Sequence, residues 1–551
     1  MYFRFRKALA VVAAGALTLL PATPGFADGS QTATPIKHVV VIFQENVSFD
    51  HYFATYPNAT NPGNEPTFNA KSGTPTVNGL TGALITNNPN ASNAANGSNA
   101  INPFRLDRSQ ASTCDQNHNY GPEQQAADGG LMDLFPATVG VGESGFCSSV
   151  FSYGKDKGLV MGYFDGNTVT ALWNYAQNFA MNDNSYGTTF GPSTPGVLNL
   201  VAGTTYQATT AGKVSPKVVP SSPGTLVGDL DPTGDVCSNP LFVKGVLANS
   251  TVQVTSGLNI GDLLTKAGVR WGSFMGGFDL TIVNANGTTG CARSSPATAA
   301  NNGPTADYIP HHSFFNYFLS TANFAHTRPA TAGEIGNAGP ANHQYDINDF
   351  STALKTGNLP AVSFLKAPAY ADGHAGYSDP LLEQQFLVGT INSIMNSQYW
   401  SSTAVVILYD DSDGWYDHQM SPIVNSSAIN TGVVNDSDQL NGVGICGHGA
   451  PLENIQGRCG YGPRQPLLVI SPYAKTNFVD HTLTDQSSVI AFIEYNWNTG
   501  QIGGGSFDQI AGSLLNMFNF SQNQNNQGNQ PGTLILNPTT GQPVGGGQNQ
   551  Q

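Results

Sequence analysis

Residues 39–43 read VVVIF, five apolar positions in a row, and the run stops abruptly at Gln44, Glu45 and Asn46. Short runs of the same kind occupy 361–365, 404–408 and 466–470, each rich in Val, Ile or Leu and each followed by polar or small residues. Uninterrupted apolar runs of this length fit strands buried on both faces of a sheet. Segments 169–180, 379–396 and 487–496 read as helices, the second opening with Asp379 as cap and Pro380 in the first turn. Strand-like and helix-like stretches alternate, which predicts an α/β fold with a central sheet covered by helices.

Two regions break the pattern. Residues 57–113 are dominated by Asn, Gly, Pro, Ser and Thr and read as a long surface insertion. Residues 203–300 look strand-rich and contain two cysteines, which predicts a lid or subdomain inserted in the core. From 521 to 551 the chain is Gln-, Asn- and Gly-rich and reads as a disordered tail, leaving 28–520 as the main domain.

Charged residues make up only 10% of the 551 positions, against about 25% in an average soluble protein. The net charge of −15 argues against a nucleic-acid partner, whose phosphates it would repel. The basic residues near the start have another meaning. Arg4, Arg6 and Lys7 precede an apolar stretch from Ala8 to Leu20, and Gly25 and Ala27 follow at the spacing of a cleavage site. Residues 1–27 therefore read as a secretory signal peptide, too short to span a bilayer. A periplasmic or secreted protein without a transmembrane segment is expected. Six cysteines with no CxxC spacing fit disulfides in that compartment. Sequence order suggests the pairs 114–147, 237–291 and 446–459.

The run at 404–408 leads into YDDSDGWYDH, so Asp410 and Asp411 stand at a strand end as Glu45 and Asn46 do. In open α/β sheets, sites form outside the carboxyl ends of strands. Two such ends, each bringing a pair of oxygen ligands, suit one hard divalent cation: Mg, Ca, Mn or Zn. Read alone, Asp-Asp-Ser-Asp-Gly is also an ordinary turn. Ser193 lies in FGPSTPG, where Pro and Gly set a rigid turn, and 197–201 reads as a short helix whose N-terminus favours a phosphate. His118, His311, His312 and His374 sit in polar segments where an imidazole is able to bind a phosphoryl oxygen or protonate a leaving group.

Taken together, KHVVVIFQENVSFDHYF, FGPSTPG, DGHAGYSDPLLEQQ and YDDSDGWYDH resemble the bacterial secreted acid phosphatase and phospholipase C family of phosphoesterases. The resemblance runs in blocks from Ile36 to about Asn498 and is closest to the acid phosphatase branch. It implies an alkaline-phosphatase-like mixed sheet flanked by helices. It also implies one divalent metal held by Glu45, Asn46, Asp410 and Asp411, with Ser193 as nucleophile. His118, His312 and His374 are implied around the phosphoryl group as catalytic and substrate-binding residues, with His311 or His312 open as a one-residue ambiguity. Phospholipase members commonly carry Thr at the nucleophile position, followed by Pro-Asn-Arg; this chain has Ser193, then Pro195, Gly196 and Val197.

The expected activity is hydrolysis of phosphate monoesters through a phosphoserine, with an acidic optimum if the histidines act as imidazolium, populated below about pH 6.5. A phospholipase C cleaving lipid headgroups, with transient lipid contact, is the alternative. In that case Trp271, Phe274 and Phe278 read as a lipid-facing lid instead of subdomain core. A secreted binding protein on the same scaffold is the third reading.

Overall fold

The apolar run at 39–43 is the centre of a strand buried along almost its whole length. The computed structural model describes residues 31–141, 156–212, 215–238, 250–296, 304–521 and 532–544. Among them, eight strands form the central sheet: β1 (His38–Gln44), β2 (Ala180–Asn182), β3 (Trp271–Met275), β4 (Gln344–Asp346), β5 (Val362–Lys366), β6 (Thr403–Tyr409), β7 (Leu467–Ile470) and β8 (Phe478–Asp480). Their order is β4-β3-β5-β1-β6-β7-β2-β8. All run in one direction except β7, which is antiparallel to both neighbours.

The helices that matter for the site are α1 (Tyr120–Ala127), α2 (Thr170–Asn178), α3 (Ser193–Ala202), α4 (Pro380–Met395) and α5 (Ser488–Trp497). Asp379 caps α4, accepting from the N–H groups of Leu381 and Leu382, with Pro380 at the first helical position. Helix α2 packs on β2, β7 and β8, and α5 packs on α3. The α/β class and the mixed sheet flanked by helices are as expected, and all four anticipated strands and three anticipated helices form within two residues of their expected ends. The short helix foreseen at 197–201 begins earlier, at Ser193 itself.

The region 203–300 differs from expectation. A small antiparallel sheet is built from Tyr206–Gly212, Val218–Val219, Gly224–Leu226 and Ser250–Val254. Residues 271–275, however, are β3 of the central sheet, paired with both β4 and β5. Trp271, Phe274 and Phe278 are buried, so they are packing residues and not a lipid-facing lid. WGSFM lacks the Val/Ile/Leu run that marked the other strands, and β2, β4 and β8 are three residues each, too short to show a period.

Residues 57–113 form short helical turns and loops. Their interior is held by amides in place of an apolar core: Asn90 Nδ2 donates to Met132 O at 2.8 Å and Asn96 Nδ2 to Asp133 O at 2.9 Å. The expectation of a structureless tail does not hold for 532–544. Leu536 is buried in the main core, and its backbone exchanges hydrogen bonds with the Asn392 side chain on α4. The signal was Leu534-Ile535-Leu536, an apolar triplet inside polar low-complexity sequence.

Disulfides join Cys237 to Cys291 and Cys446 to Cys459, as expected. Cys147 and residues 1–27, expected to be a signal peptide, fall outside the described residues. No described helix is long and apolar enough to cross a membrane. Leu536→Ala is expected to destabilise the fold by about 2–3 kcal/mol, the usual cost of emptying a buried leucine site. Urea unfolding followed by circular dichroism measures it; an unchanged midpoint would show the segment to be loosely attached.

Candidate active site

Parallel pairing sets the geometry. Gln44 of β1 is level with Tyr409 of β6, so Glu45-Asn46 and Asp410-Asp411 leave the sheet side by side. The crossing is bonded on both sides: Asp410 N–H donates to Gln44 O at 3.2 Å, and Val47 N–H to Asp411 O at 3.0 Å. On the other flank of β1, Ile42 pairs with Leu365, which delivers Lys366 to the same edge. Asn46 has φ of 53°, the left-handed region that Asn tolerates better than most side chains. Its N–H donates to Asp410 Oδ1 at 3.1 Å, which fixes the bend.

Ser193 arrives from the opposite direction, as the first residue of α3. Its Oγ lies 3.0 Å from Glu45 Oε2 and 3.2 Å from Asp411 Oδ2. Helix α3 comes this close because residue 196 is glycine: a Cβ there would lie 2.4 Å from Asp410 O. Behind the nucleophile, Thr194 N–H donates to Asp229 Oδ1 at 2.9 Å. Glu123 on α1 joins the two loops, accepting from Gly191 N–H at 2.9 Å and from the Ser412 hydroxyl at 2.6 Å.

The three histidines chosen from the sequence all reach this cluster. His312 Nδ1 is 3.2 Å from Glu45 Oε1, and His374 Nε2 is 2.9 Å from the Asn46 amide. His118 stands 5.8 Å from His374, ring centre to ring centre, with Nδ1 3.1 Å from Asp413 Oδ1. Of the pair left open, His312 touches the site, whereas His311 turns towards Asp231, 3.6 Å away. Their charge states differ. Burial pushes His312 well below the ordinary value, with His311 adding to the effect, and burial also lowers His374. Burial opposes the charged form of His118 too, but Asp411, Asp413 and Asp115 outweigh it and hold that imidazole well above the usual range. Burial thus disfavours the charged form of His312 and His374, whereas the carboxylates around His118 favour it.

The oxygens fit a cation. Burial, then Asp410, raises Glu45 and Asp411, and burial raises Asp372, so the cluster carries more negative charge than its own partners neutralise. The Asn46 amide atom facing the carboxylates lies 2.5 Å from Glu45 Oε2 and 2.9 Å from Asp410 Oδ1. As nitrogen it donates two hydrogen bonds; as oxygen it needs a cation between the three groups. Spacings of 2.5–3.2 Å between these atoms bring the oxygens close enough to share one cation.

Lys366, Asp372, Asp413 and Glu123 belong to the site and were not foreseen. Lys366 carried the same signal as Glu45, a charge at the end of an apolar run. Asp413 lay in view within DDSDG but read as a turn. Glu123 and Asp372 gave no signal of spacing. Other groups of potential ligands among the described residues have different partners: Asp50, Asp417 and His418 surround Arg464, and Asp235 and His326 stand beside the disulfide-bonded Cys237.

A serine hydroxyl at a helix N-terminus, a cluster of buried carboxylates and three histidines thus meet at one edge of the sheet. The chain belongs to the Phosphoesterase family, which it matches over residues 36–500; hydrolysis of phosphoric esters, the enzyme class expected from the sequence, is the class of that family. It is 24% identical to phospholipase C A of Mycobacterium tuberculosis over 89% of this chain and 78% of that one. It is 31% identical to the non-hemolytic phospholipase C of Pseudomonas aeruginosa over 33% of this chain, a stretch that spans only 27% of that protein. Among solved structures, murine ectonucleotide pyrophosphatase/phosphodiesterase 5 is similar at 13% identity and a TM-score of 0.29, covering 64% of this chain and 95% of that one. A Vibrio parahaemolyticus protein of the alkaline phosphatase superfamily gives 12% identity and 0.26, covering 77% of each chain. Superpositions that loose say nothing about the site.

Burial lifts the Glu123 carboxyl from 4.5 to about 7, with the Ser412 and Gly191 hydrogen bonds opposing. The folded protein then holds this proton more tightly than the unfolded chain does. The stabilisation is complete below about pH 4.5 and is lost as the pH rises through about 7. Glu123→Gln is expected to flatten the pH dependence of stability in that window, by up to about 3 kcal/mol. Urea midpoints at stepped pH measure it, and parallel curves for the two proteins would contradict it.

Proposed function

We propose that this chain is an exported, metal-dependent phosphoester hydrolase that works through a phosphoserine at Ser193. The observation that supports it most directly is the Ser193 hydroxyl held between Glu45 Oε2 and Asp411 Oδ2 at the start of α3. Glu45, Asn46, Asp410 and Asp411 would hold one divalent ion. When bound, the ion supplies a lowered pKa for the nucleophilic hydroxyl and positive charge for a phosphoryl oxygen.

The residues of the chain do the rest. Ser193 Oγ, its proton passing to solvent, attacks phosphorus, the bond from phosphorus to the ester oxygen breaks, and the alcohol departs; the serine regains a proton from solvent when the phosphoserine is hydrolysed. His312 and His374 would line the phosphoryl group; a neutral His374 spends its one N–H on Ala375 O, so it would donate to a phosphoryl oxygen only as the imidazolium. His118, which keeps its proton, is the group suited to protonate the leaving oxygen. Water then attacks the phosphoserine and releases phosphate, with His118 taking the proton back.

For the substrate, the Ser193-Thr194-Pro195-Gly196 loop favours a phosphate monoester, since it resembles the acid phosphatase branch. The relatives' names favour the second reading, a phospholipid diester cleaved as by a phospholipase C. Release of inorganic phosphate from p-nitrophenyl phosphate, set beside release of phosphocholine from phosphatidylcholine vesicles, separates the two.

Ser193→Ala is expected to lower kcat/KM by at least about a thousandfold, as loss of a covalent nucleophile does, and to abolish phosphoenzyme trapping by acid quench. Near-normal turnover would move the role to another group. Asp410→Asn is expected to lose both bound metal and activity; unchanged metal by elemental analysis would refute the four-ligand site.

A further inference from the structure

We propose that Lys366 is a built-in cation of this site: its ammonium takes the place a second divalent ion would otherwise occupy, so that one exchangeable metal is enough. The inference rests on the metal reading above and goes beyond it.

The two oxygens of Glu45 face different ways. Oε2 points to Ser193 and Asn46, and Oε1 points away from them, to His312 Nδ1 and Lys366 Nζ. Around Oε1, Glu45, His312 and Asp372 offer three ligand atoms within 4.8 Å of one another, all on buried residues. Such a set could hold a cation. The ammonium of Lys366 stands at one corner of it, in contact with Glu45 Oε1 and 3.9 Å from Asp410 Oδ2, on a side chain 1% exposed.

Lys366 does not reach in from the surface. It is the last residue of β5, carried to the edge by the register of Leu365 with Ile42, and its Nζ lies 5.2 Å from the centre of the Phe43 ring. Backbone pairing and a buried aromatic face thus hold the charge in place, and it has no route to water. A fixed charge here neutralises the outer oxygen of Glu45 and leaves the inner one for the exchangeable metal. Lys366 touches a ligand and not the substrate, so it is a positioning residue.

The test is the number of Mn2+ ions retained per chain after desalting, with thermal melting as the measure of folding. Wild type is expected to hold one ion, Lys366→Ala to take up a second, and Lys366→Ala combined with Asp372→Asn to return to one. Lys366→Met keeps the packing on Phe43 and removes the charge, and it is expected to bind Mn2+ about tenfold more tightly or better, since repulsion from the ammonium is gone. Two ions in the wild type, one ion in a cooperatively melting Lys366→Ala, or unchanged affinity in Lys366→Met would each overturn the proposal. A wild type that holds no ion would sink the metal reading itself, which is a different result.

Discussion

The in-register parallel pairing of β1 with β6 is the constraint on which the rest of the site depends. It brings together residues far apart in sequence and places Glu45-Asn46 beside Asp410-Asp411 with backbone precision. A slip of one residue would turn every side chain of the shifted strand to the other face, and with both faces of β1 buried such a slip is strongly disfavoured. The geometry of these four side chains is thus held by the hydrophobic core. Helix α3 is docked by a second constraint of the same kind, the missing side chain at Gly196 against Asp410 O.

Pairing alone leaves like charges crowded together, and the loops leaving β1 and β6 would splay without a counterweight. Arg464 provides it one turn further out. Its guanidinium, buried over the Phe49 ring, donates from Nε to Asp417 and from Nη2 to Asp50. Asp50 N–H in turn donates to Asp417 Oδ2 at 3.0 Å, and His418 closes the group through Asp50. Asp50 follows the Glu45 loop and Asp417 follows the Asp411 loop, so this network clamps both from behind.

Much of this was legible beforehand, for identifiable reasons. Strands such as 39–43 and 404–408 announced themselves because burial on both faces demands unbroken apolar sequence. The ligands on them announced themselves because charge at the end of such a run is unusual. Trp271–Met275 escaped because a strand near the sheet's margin tolerates Gly and Ser, and Leu534–Leu536 escaped because composition was averaged over a longer polar stretch. Lys366 obeyed the rule that revealed Glu45, but a lone lysine after a strand reads as a solvated end until its carboxylate partners are known. Glu123, which ties the nucleophile loop to the metal loop, depends wholly on tertiary contact and leaves no trace in spacing.

The histidines show why proximity does not fix chemical role. His118, His312 and His374 belong to one site, and sequence gave no ground for treating them differently. Burial penalises the charged form of all three. What separates them is the company each keeps. His312 sits beside His311 and Lys366, which add to the penalty, whereas His118 sits beside Asp411, Asp413 and Asp115, which overcome it. A neutral imidazole has a single N–H, and in His374 it is turned to Ala375 O. A charged one is able to give the proton away, which suits a leaving alkoxide. The Asp-Asp-Ser-Asp turn therefore serves twice: Asp410 and Asp411 stand beside Glu45 and Asn46, and Asp411 and Asp413 favour the charged form of His118.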